Sequence, residues 1–439
     1  HRLKNRSSKA HVNIKKIKTQ HVLLLTGTPL QNYLEELWSL LSFIDSAKFS
    51  DLDQFLEDYG ELTDKTQVDT LQGILQPYLL RRKKEDVEKD LPSKEETIIE
   101  VELTSAQKQY YRAIIEKNRD FLTRGRKTGG NLNLINVFME IRKLCNHPFL
   151  ITGAEESLIK EANIDKMNDK ELNEFMIKCS SKLVLADKLL TKLRQEPRNK
   201  VLIFSQMLGV LDIFEDFLSY RGWEYERLDG SASGEQKQRA IDRFSENENC
   251  FVFLLSTKAG GVGINLTSAN TVIIFDSDFN PQNDLQAQSR CHRIGQTQDV
   301  KVFRLITRNT YEKYMMEIAS KKLGLEQVVL RNMHDASTDR QSESKRGGRK
   351  KGGSSMGLDD NEIESLLKYG AYHLFMGSGT SGTGGSSSSG DSSSTGGVDE
   401  KARKESEEDK KLLDLDIDQI LEKNARVVKY EAGDEDGGL

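Results

Sequence analysis

Five short runs between residues 200 and 306 alternate with longer amphipathic stretches. The runs predict buried strands at 201–205, 225–229, 251–256, 271–276 and 301–306. The stretches between them place apolar residues at helical spacing, as over 207–221 and 234–245. Strands that alternate with helices form a parallel sheet covered on both faces. The pattern therefore predicts an α/β fold in which helices flank a parallel sheet.

The residues before 180 follow a more helical pattern. HVLLLT (21–26) predicts one buried strand, which continues into the turn GTPLQN (27–32). From Tyr33 to about Leu80 the spacing is helical, with the expected core positions Leu34, Leu37, Trp38, Leu41 and Ile44. A charged connector ends at Pro92, and residues 104–150 predict further helix with Thr104 or Ser105 as the cap.

Beyond residue 332 the composition changes. The basic run KRGGRKK (345–351) indicates nuclear import, nucleic-acid contact or a solvated arm. Residues 359–375 predict an amphipathic helix whose apolar side chains need a covering surface: Ile363, Leu366, Leu367 and Phe375. Glycine and serine dominate the linker that follows, and the last segment predicts one acidic amphipathic helix. We expect the C-terminal tail to be largely disordered.

Composition narrows the class of protein. A chain of 439 residues is long enough for two or three domains. Its net charge is −5, so attraction to nucleic acid must come from local patches. The four cysteines form no CxxC pair, which argues against a zinc site and suits a reducing compartment. The apolar runs are too short to cross a bilayer. We predict neither a membrane partner nor a metal site within these residues.

Candidate chemistry lies in the loops that follow the predicted strands. In an open α/β sheet, ligands bind beyond the carboxyl ends of the strands. Those loops are 204–207, 256–265 and 275–284, and the last leads into LQAQSRCHRIGQ (285–296). We expect all of them, with the arginines of that stretch, to meet at one edge of the sheet. Hydroxyls, glycine amides and paired arginines suit phosphate groups, although the glycines are equally typical of a tight turn.

The stretch 285–296 carries two arginines three residues apart. On the helix predicted there, Arg290 and Arg293 share a face. They form either a solvated basic face or a fork for a polyphosphate, because planar guanidinium groups match phosphate geometry. Between them, His292 is expected to pack or to form a hydrogen bond rather than to shuttle protons.

Several segments in order carry a family resemblance: TGTPLQN (26–32), VLIFSQM (201–207), YERLDGSASGEQKQRAIDRF (225–244), LLSTKAGGVGINLTSANTVIIFD (254–276) and DLQAQSRCHRIGQ (284–296). Over residues 1–330 the sequence resembles the C-terminal half of superfamily-2 helicase-type ATPases of the chromatin-remodelling branch. FDSDFNPQNDLQAQ, LEQVVLRNM, EIESLLKYGAYHLF and DIDQILEK are similar to the chromodomain-helicase-DNA-binding group. The imitation-switch group has similar tail segments and stays an alternative.

The resemblance implies a RecA-like second helicase lobe with helical insertions and a remnant of the first lobe. The implied segments are 1–92 (remnant of the first lobe with a helical protrusion and linker), 93–180 (helical protrusion of the second lobe), 181–332 (second RecA-like lobe), 333–358 (basic arm), 359–376 (a helix that restrains the motor), 377–400 (Gly/Ser linker) and 401–439 (acidic-amphipathic tail).

The resemblance also implies the ligands and their sites. ATP with Mg²⁺ would lie between two lobes, and Arg290 and Arg293 would be arginine fingers that neutralise the departing γ-phosphate. Nucleotide contacts are expected from Gly261, Gly263 and Gln286, DNA contacts from Ser205, Gln206, Thr257, Lys258, Phe279 and Asn280, and coupling between the two from Thr26, Gln31 and Asn32. Phe279 stands where the family more often has tryptophan, so a buried loop anchor is the alternative to stacking on DNA.

Two phosphate-binding motifs of the family do not occur in the sequence. There is no GxxxxGK[ST] and no complete DExH box, and His1 would be the final histidine of that box. We therefore expect a fragment cut inside the first lobe, which hydrolyses no ATP by itself. The resemblance implies a nuclear, ATP-dependent chromatin remodeller that translocates on double-stranded DNA and slides nucleosomes. A repair or recombination translocase and a non-catalytic DNA-binding or scaffold module are the alternatives.

Overall fold

The computed structural model describes residues 3–27, 29, 34–59, 65–80, 82, 91–117, 131–162, 168–260, 263–320, 360–376 and 409–430. The chain forms two compact units. The first unit comprises His1–Val87, Phe279–Gln282 and Glu317–Gly357, and the second comprises Glu88–Asp278, Asn283–Met316 and Leu358–Leu439. The basic run 345–351 and the Gly/Ser linker 377–400 lie outside the described residues.

The second unit is built on one sheet. Its strands are β1 (Lys94–Val101), β2 (Val201–Ser205), β3 (Tyr225–Leu228), β4 (Val252–Ser256), β5 (Thr271–Ile274), β6 (Val300–Thr307) and β7 (Ala425–Tyr430). Their order is β3-β4-β2-β5-β6-β1-β7, and every pairing is parallel except that of β1 with β7. The predicted α/β fold with a parallel sheet is confirmed.

Helices precede, separate and follow these strands. They are α1 (Lys9–Ile14), α2 (Leu34–Ile44), α3 (Leu52–Tyr59), α4 (Lys65–Leu75), α5 (Ser105–Lys117), α6 (Asn131–Asn146), a 3-10 turn (Pro148–Leu150), α7 (Ala154–Glu161), α8 (Asp169–Cys179), α9 (Ser181–Gln195), α10 (Leu208–Arg221), α11 (Gly234–Glu246), α12 (Thr257–Gly260), α13 (Pro281–Gln288), α14 (311–320), α15 (Asp360–Met376), α16 (409–414) and α17 (Ile417–Asn424). No helix among the described residues has the length and apolar character that crossing a membrane requires.

Alternation along the central strands fills two cores. Successive side chains of a strand point to opposite faces. Val201 and Ile203 of β2 join a cluster with Phe214 of α10, whereas Leu202 and Phe204 belong to the cluster on the other face. Both clusters are fully buried, as expected for a parallel sheet covered on both sides. The rigid sheet therefore fixes the positions at which its loops begin.

The first unit confirms the predicted helix but not the predicted strand. Leu34, Leu37, Trp38 and Leu41 of α2 are buried as expected. Residues 21–26 form no regular structure, and Leu23 and Leu25 are 84% and 85% exposed. A strand needs a neighbour to bond its backbone, and no described residue pairs with this segment. The prediction of a buried strand at 21–26 is wrong for this structure.

Two strands were not predicted. β1 lies in the region 93–180, which the resemblance implied to be a helical protrusion, and pairs in parallel with β6 over its whole length. β7 lies in the predicted tail helix region 401–439, where α17 is followed by a strand antiparallel to β1. Ile417 and Ile420 of α17 are buried, so this part of the tail belongs to the folded unit.

The helix predicted at 359–375 is confirmed as α15. Ile363, Leu366 and Leu367 are fully buried, and α15 packs on α5 and α6. The side chain of Phe375 lies outside the described residues. At Gly370 a Cβ atom would approach the hydroxyl of Tyr111 on α5 to 2.1 Å, so only glycine permits this packing distance. The covering surface that the apolar face requires is thus supplied by the same chain.

Candidate functional site

The loops after β2, β4 and β5 meet at the carboxyl edge of the sheet, because these strands are neighbours. We call residues 205–207, 257–260 and 275–278 the carboxyl-edge loops. The Gln206 amide donates from Nε2 to the carbonyl oxygen of Ser277 at 2.6 Å. Its backbone N–H donates to both carboxylate oxygens of Asp276, at 3.1 and 3.2 Å. α12 packs against β2. The expected meeting of these three loops is confirmed.

Two of the predicted DNA contacts are held rigidly in these loops. Ser205 is fully buried, and its Oγ accepts from the N–H of Met207 at 3.2 Å. The Oε1 atom of Gln206 accepts from Nη2 of Arg142, on α6, at 2.9 Å. Burial raises the pKa of Asp276 above its ordinary value, and the hydrogen bond from Ser205 opposes this. The Gln206 side chain is therefore oriented from both ends.

A buried lysine anchors the loop after β5. Lys182 of α9 is fully buried, and its ammonium donates to the carbonyl oxygen of Phe275 at 2.9 Å and to Oε1 of Glu312 at 2.6 Å. The second carboxylate oxygen of Glu312 accepts from the N–H and the hydroxyl of Thr307, both at 2.7 Å. This ion pair joins α9, β6 and α14 to the residue that precedes Asp276.

The other predicted DNA-contact residues differ in exposure. Thr257 is 5% exposed, whereas Lys258 beside it is exposed to solvent. Phe279 is 7% exposed, which favours the loop anchor over an aromatic ring available for stacking on DNA. Asn280 accepts from the N–H of Gln282 at 3.1 Å through its Oδ1 atom. Phe279 and Asn280 group with the first unit, as does Thr26 of the predicted coupling motif. Gln31 and Asn32 lie outside the described residues.

The two arginines do not lie on a helix. α13 ends at Gln288, and residues 289–296, here called the arginine turn, form a series of turns. Gly295 has a φ of +99°, a conformation that other residues rarely adopt. The carbonyl oxygen of Arg290 accepts from the N–H of Leu266 at 3.1 Å instead of continuing a helix. The prediction of one helix through 285–296 is wrong, because contacts with the loop 264–270 draw the chain away.

The arginine turn lies at the amino edge of the sheet. Gln296 donates from Nε2 to the carbonyl oxygen of Ala269, which precedes β5, at 2.8 Å. His292 bonds to the carbonyl oxygen of Pro92, which precedes β1, at 2.9 Å. The expectation that the arginines join the carboxyl-edge loops is therefore wrong. α13 has eight residues, so it carries the chain back by about 12 Å.

The two arginines lie three residues apart within the turn, and both side chains are half-buried. Burial lowers the pKa of Arg290, and the charge of Arg293 lowers it further. Among the described residues no carboxylate forms an ion pair with Arg293. The two like charges repel each other, and an anion bound to both would relieve that repulsion. The arrangement fits a phosphate group.

The predicted nucleotide contacts lie partly in the same region. Gly263 is exposed and has a φ of +58°. This backbone conformation is enough to account for a glycine at this position. Gln286 is half-buried on α13, four residues before Arg290. Gly261 lies outside the described residues.

Comparison with known proteins places this geometry in a family. The SNF2-related domain matches residues 1–150, and the helicase conserved C-terminal domain matches residues 181–295. Chromodomain-helicase-DNA-binding protein 8 of Xenopus tropicalis is 49% identical over 436 residues, which are 98% of this chain and 18% of that protein. Protein 7 of the same series, from Homo sapiens, is 48% identical over 440 residues, which are 98% of this chain and 13% of that protein. The chain thus contains an SNF2-related domain and a helicase conserved C-terminal domain, and over nearly its whole length it is similar to chromodomain-helicase-DNA-binding proteins.

The chain spans less than a fifth of the length of these relatives. The crystal structure of the C-terminal part of the Fun30 ATPase domain is 30% identical to it, with a TM-score of 0.42. That match covers 55% of this chain and 99% of the other. The family resemblance predicted from the motifs is confirmed.

Two residues that were not among the predicted site residues, Arg142 and Gln296, hold the carboxyl-edge loops and the arginine turn in place. Arg142 orients Gln206 from a helix 64 residues earlier in sequence. Gln296 closes the arginine turn: its amide donates to the carbonyl oxygens of Ala269 and Cys291, and its Oε1 atom accepts from the N–H groups of Thr297 and Gln298. The glutamine after Gly295 is visible in the sequence, but its role depends on a loop folded against it.

Proposed function

We propose that this chain forms the second lobe of an ATP-driven motor that moves along duplex DNA and slides nucleosomes in the nucleus. Similarity to chromodomain-helicase-DNA-binding proteins supports a chromatin-remodelling ATPase in general. The single observation that carries the proposal is the pair of half-buried arginines, three residues apart, in a turn that Gln296 closes. A polyphosphate is the anion that such a pair fits best.

In the proposed mechanism, Arg290 and Arg293 meet the phosphates of ATP and stabilise the negative charge that develops as the γ-phosphate leaves. Mg²⁺ would supply further charge neutralisation when bound. We assign no ligand for it within these residues, because the phosphate-binding motifs of the family do not occur in the sequence. Hydrolysis therefore requires a phosphate-binding lobe in addition to these residues.

The carboxyl-edge loops suit contact with a DNA backbone. Their exposed cation, Lys258, can hold a phosphate without reading bases, whereas Ser205 and Thr257 are buried and shape the loops. A motor that moves along any sequence requires this lack of base specificity. Because α13 separates the two regions, DNA contact and nucleotide contact would occupy opposite edges of the same sheet.

The proposal is tested on a complete motor that contains this chain. We expect ATP hydrolysis that increases on addition of duplex DNA, displacement of a third strand from a DNA triplex, and a shift of nucleosome position on native gels. ATP hydrolysis without displacement of the third strand would contradict the proposed movement along duplex DNA. Detectable DNA-stimulated hydrolysis by the isolated 439 residues would contradict the assignment of the phosphate site to another lobe.

A further inference from the structure

The two residues before β1 and the first residues of β1 make four side-chain contacts with the chain from α13 to β6. We call residues 92–96 the lead segment. Besides the bond between Pro92 and His292, its contacts are Ser93 with Asp299, at 2.8 and 3.0 Å, Lys94 with Gln288, at 3.2 Å, and Glu96 with Arg304, at 2.9 Å. The backbone ladder with β6 already holds β1 in the sheet. These side-chain contacts are therefore additional, and they follow the chain from α13 to the start of β6.

The contact of His292 with Pro92 shows which ring nitrogen of the histidine carries a hydrogen. A proline carbonyl oxygen can only accept a hydrogen bond, so the Nε2 atom of His292 must carry the hydrogen and donate it. His292 lies between the two arginines in sequence and is half-buried. The orientation of its ring is thereby coupled to the position of Pro92.

Arg304 makes the corresponding contact at the beginning of α13. Its guanidinium bonds to Glu96 of the lead segment and to Asp284 of α13. The carboxylate of Asp284 in turn accepts from the N–H of Asp278, at 3.2 and 3.3 Å. Burial would lower the pKa of Arg304, but Glu96 and Asp284 outweigh it and raise the pKa. The lead segment thus holds α13 near its start through Arg304 and at its end through Gln288.

We propose that the lead segment positions the arginine turn for phosphate contact, and that His292 is the positioning residue. This inference rests on the proposed function of the arginines. Within the second unit, the lead segment enters the sheet beside the arginine turn, and the bond between His292 and Pro92 joins the two segments.

The experiment compares His292→Leu, which removes the donor, with His292→Gln, whose amide nitrogen can replace Nε2. In a complete motor, His292→Leu should lower kcat about tenfold or more, because a small misplacement of a reacting group is costly. KM for ATP and the affinity for DNA should stay unchanged. His292→Gln should restore most of kcat, which a loss of packing alone would not explain. An unchanged kcat in His292→Leu would overturn the proposal.

Hydrogen exchange of the 439-residue chain provides a readout that is independent of activity. The N–H groups of Cys291 and His292 donate to the carbonyl oxygen of Gln288 at the end of α13, and that of Gln296 donates to the carbonyl oxygen of Arg293, so their exchange reports the order of the turn. His292→Leu should accelerate exchange in a peptide that covers 285–298, and His292→Gln should not. Unchanged exchange in His292→Leu would overturn the inference. If the unmodified motor hydrolyses no ATP, the proposed function fails and with it the effect on catalysis, whereas accelerated exchange would still establish the positioning contact.

Discussion

The carboxyl-edge loops and the arginine turn are held by different kinds of contact. The loops are supported by cations from neighbouring helices that are paired internally: Lys182 with Glu312, and Arg142 with the amide of Gln206. In the arginine turn, the main supports are neutral bonds from Gln296 and Cys291 to backbone carbonyl oxygens. The charges of the turn, Arg290 and Arg293, are of one sign and lie three residues apart.

This difference separates two roles for positive charge. A cation that is buried against a carboxylate stabilises the loop but contributes little field at the surface. Arg293 forms no ion pair with a described carboxylate, so its charge remains available to a ligand. We therefore expect substitutions in the loops to affect stability or DNA affinity, and substitutions in the turn to affect turnover.

The largest effect is expected on the free energy of unfolding, when the buried ion pair between Lys182 and Glu312 is broken. Lys182→Met leaves the buried carboxylate of Glu312 without its cation, so the free energy of unfolding should fall by about 3–5 kcal/mol. Urea unfolding of the second unit can be followed through Trp223, with Trp38→Phe as background. Lys178→Met is the matched control, because Lys178 is 55% exposed in its pair with Glu174 and should change little. Equal losses in both variants would contradict the comparison.

The second effect concerns the charge of the turn. In a complete motor, Arg293→Ala should retain nucleotide binding and lower kcat about 100- to 1,000-fold, the usual cost of a lost group that stabilises transition-state charge. Steady-state hydrolysis and titration with a fluorescent nucleotide separate the two quantities. Arg239→Ala on α11 is the control, because that exposed arginine pairs only locally with Glu235. A near-normal rate in Arg293→Ala would refute its role as an arginine finger.

The third effect tests the neutral support of the turn. Gln296→Leu leaves the carbonyl oxygen of Cys291 without its donor and that of Ala269 with only the weaker thiol of Cys291, which should cost about 1–3 kcal/mol of stability. Because the arginines lose their position with the turn, kcat should fall as well. Gln298→Leu is the control, because Gln298 is exposed. If the two variants unfold at the same urea concentration, Gln296 does not hold the turn closed.

The sequence predicted those features that depend on local pattern. The strand Val201–Ser205 and the helix Leu34–Ile44 follow from the spacing of apolar residues, and the carboxyl-edge loops follow from strand order. β1 was missed because KEETIIEV contains charged residues, and Glu96 is buried only through Arg304, 208 residues away. The arginine turn was predicted as helix, since the bond from Leu266 that ends the helical path is not visible in sequence. Both predictions failed because contacts between segments distant in sequence determine the structure of β1 and of the arginine turn.

The smallest effect concerns Lys258, whose role the motif predicted and whose exposure the structure describes. Lys258→Ala should weaken duplex binding severalfold in all sequences and reduce the slope of log affinity against log salt by about 1, since one phosphate contact is lost. Binding is measured by fluorescence anisotropy at several salt concentrations. Lys423→Ala on α17, at the opposite end of the sheet, should leave the slope unchanged. A slope unaffected by Lys258→Ala would mean that DNA does not contact this edge, and the division between the two edges would then fail.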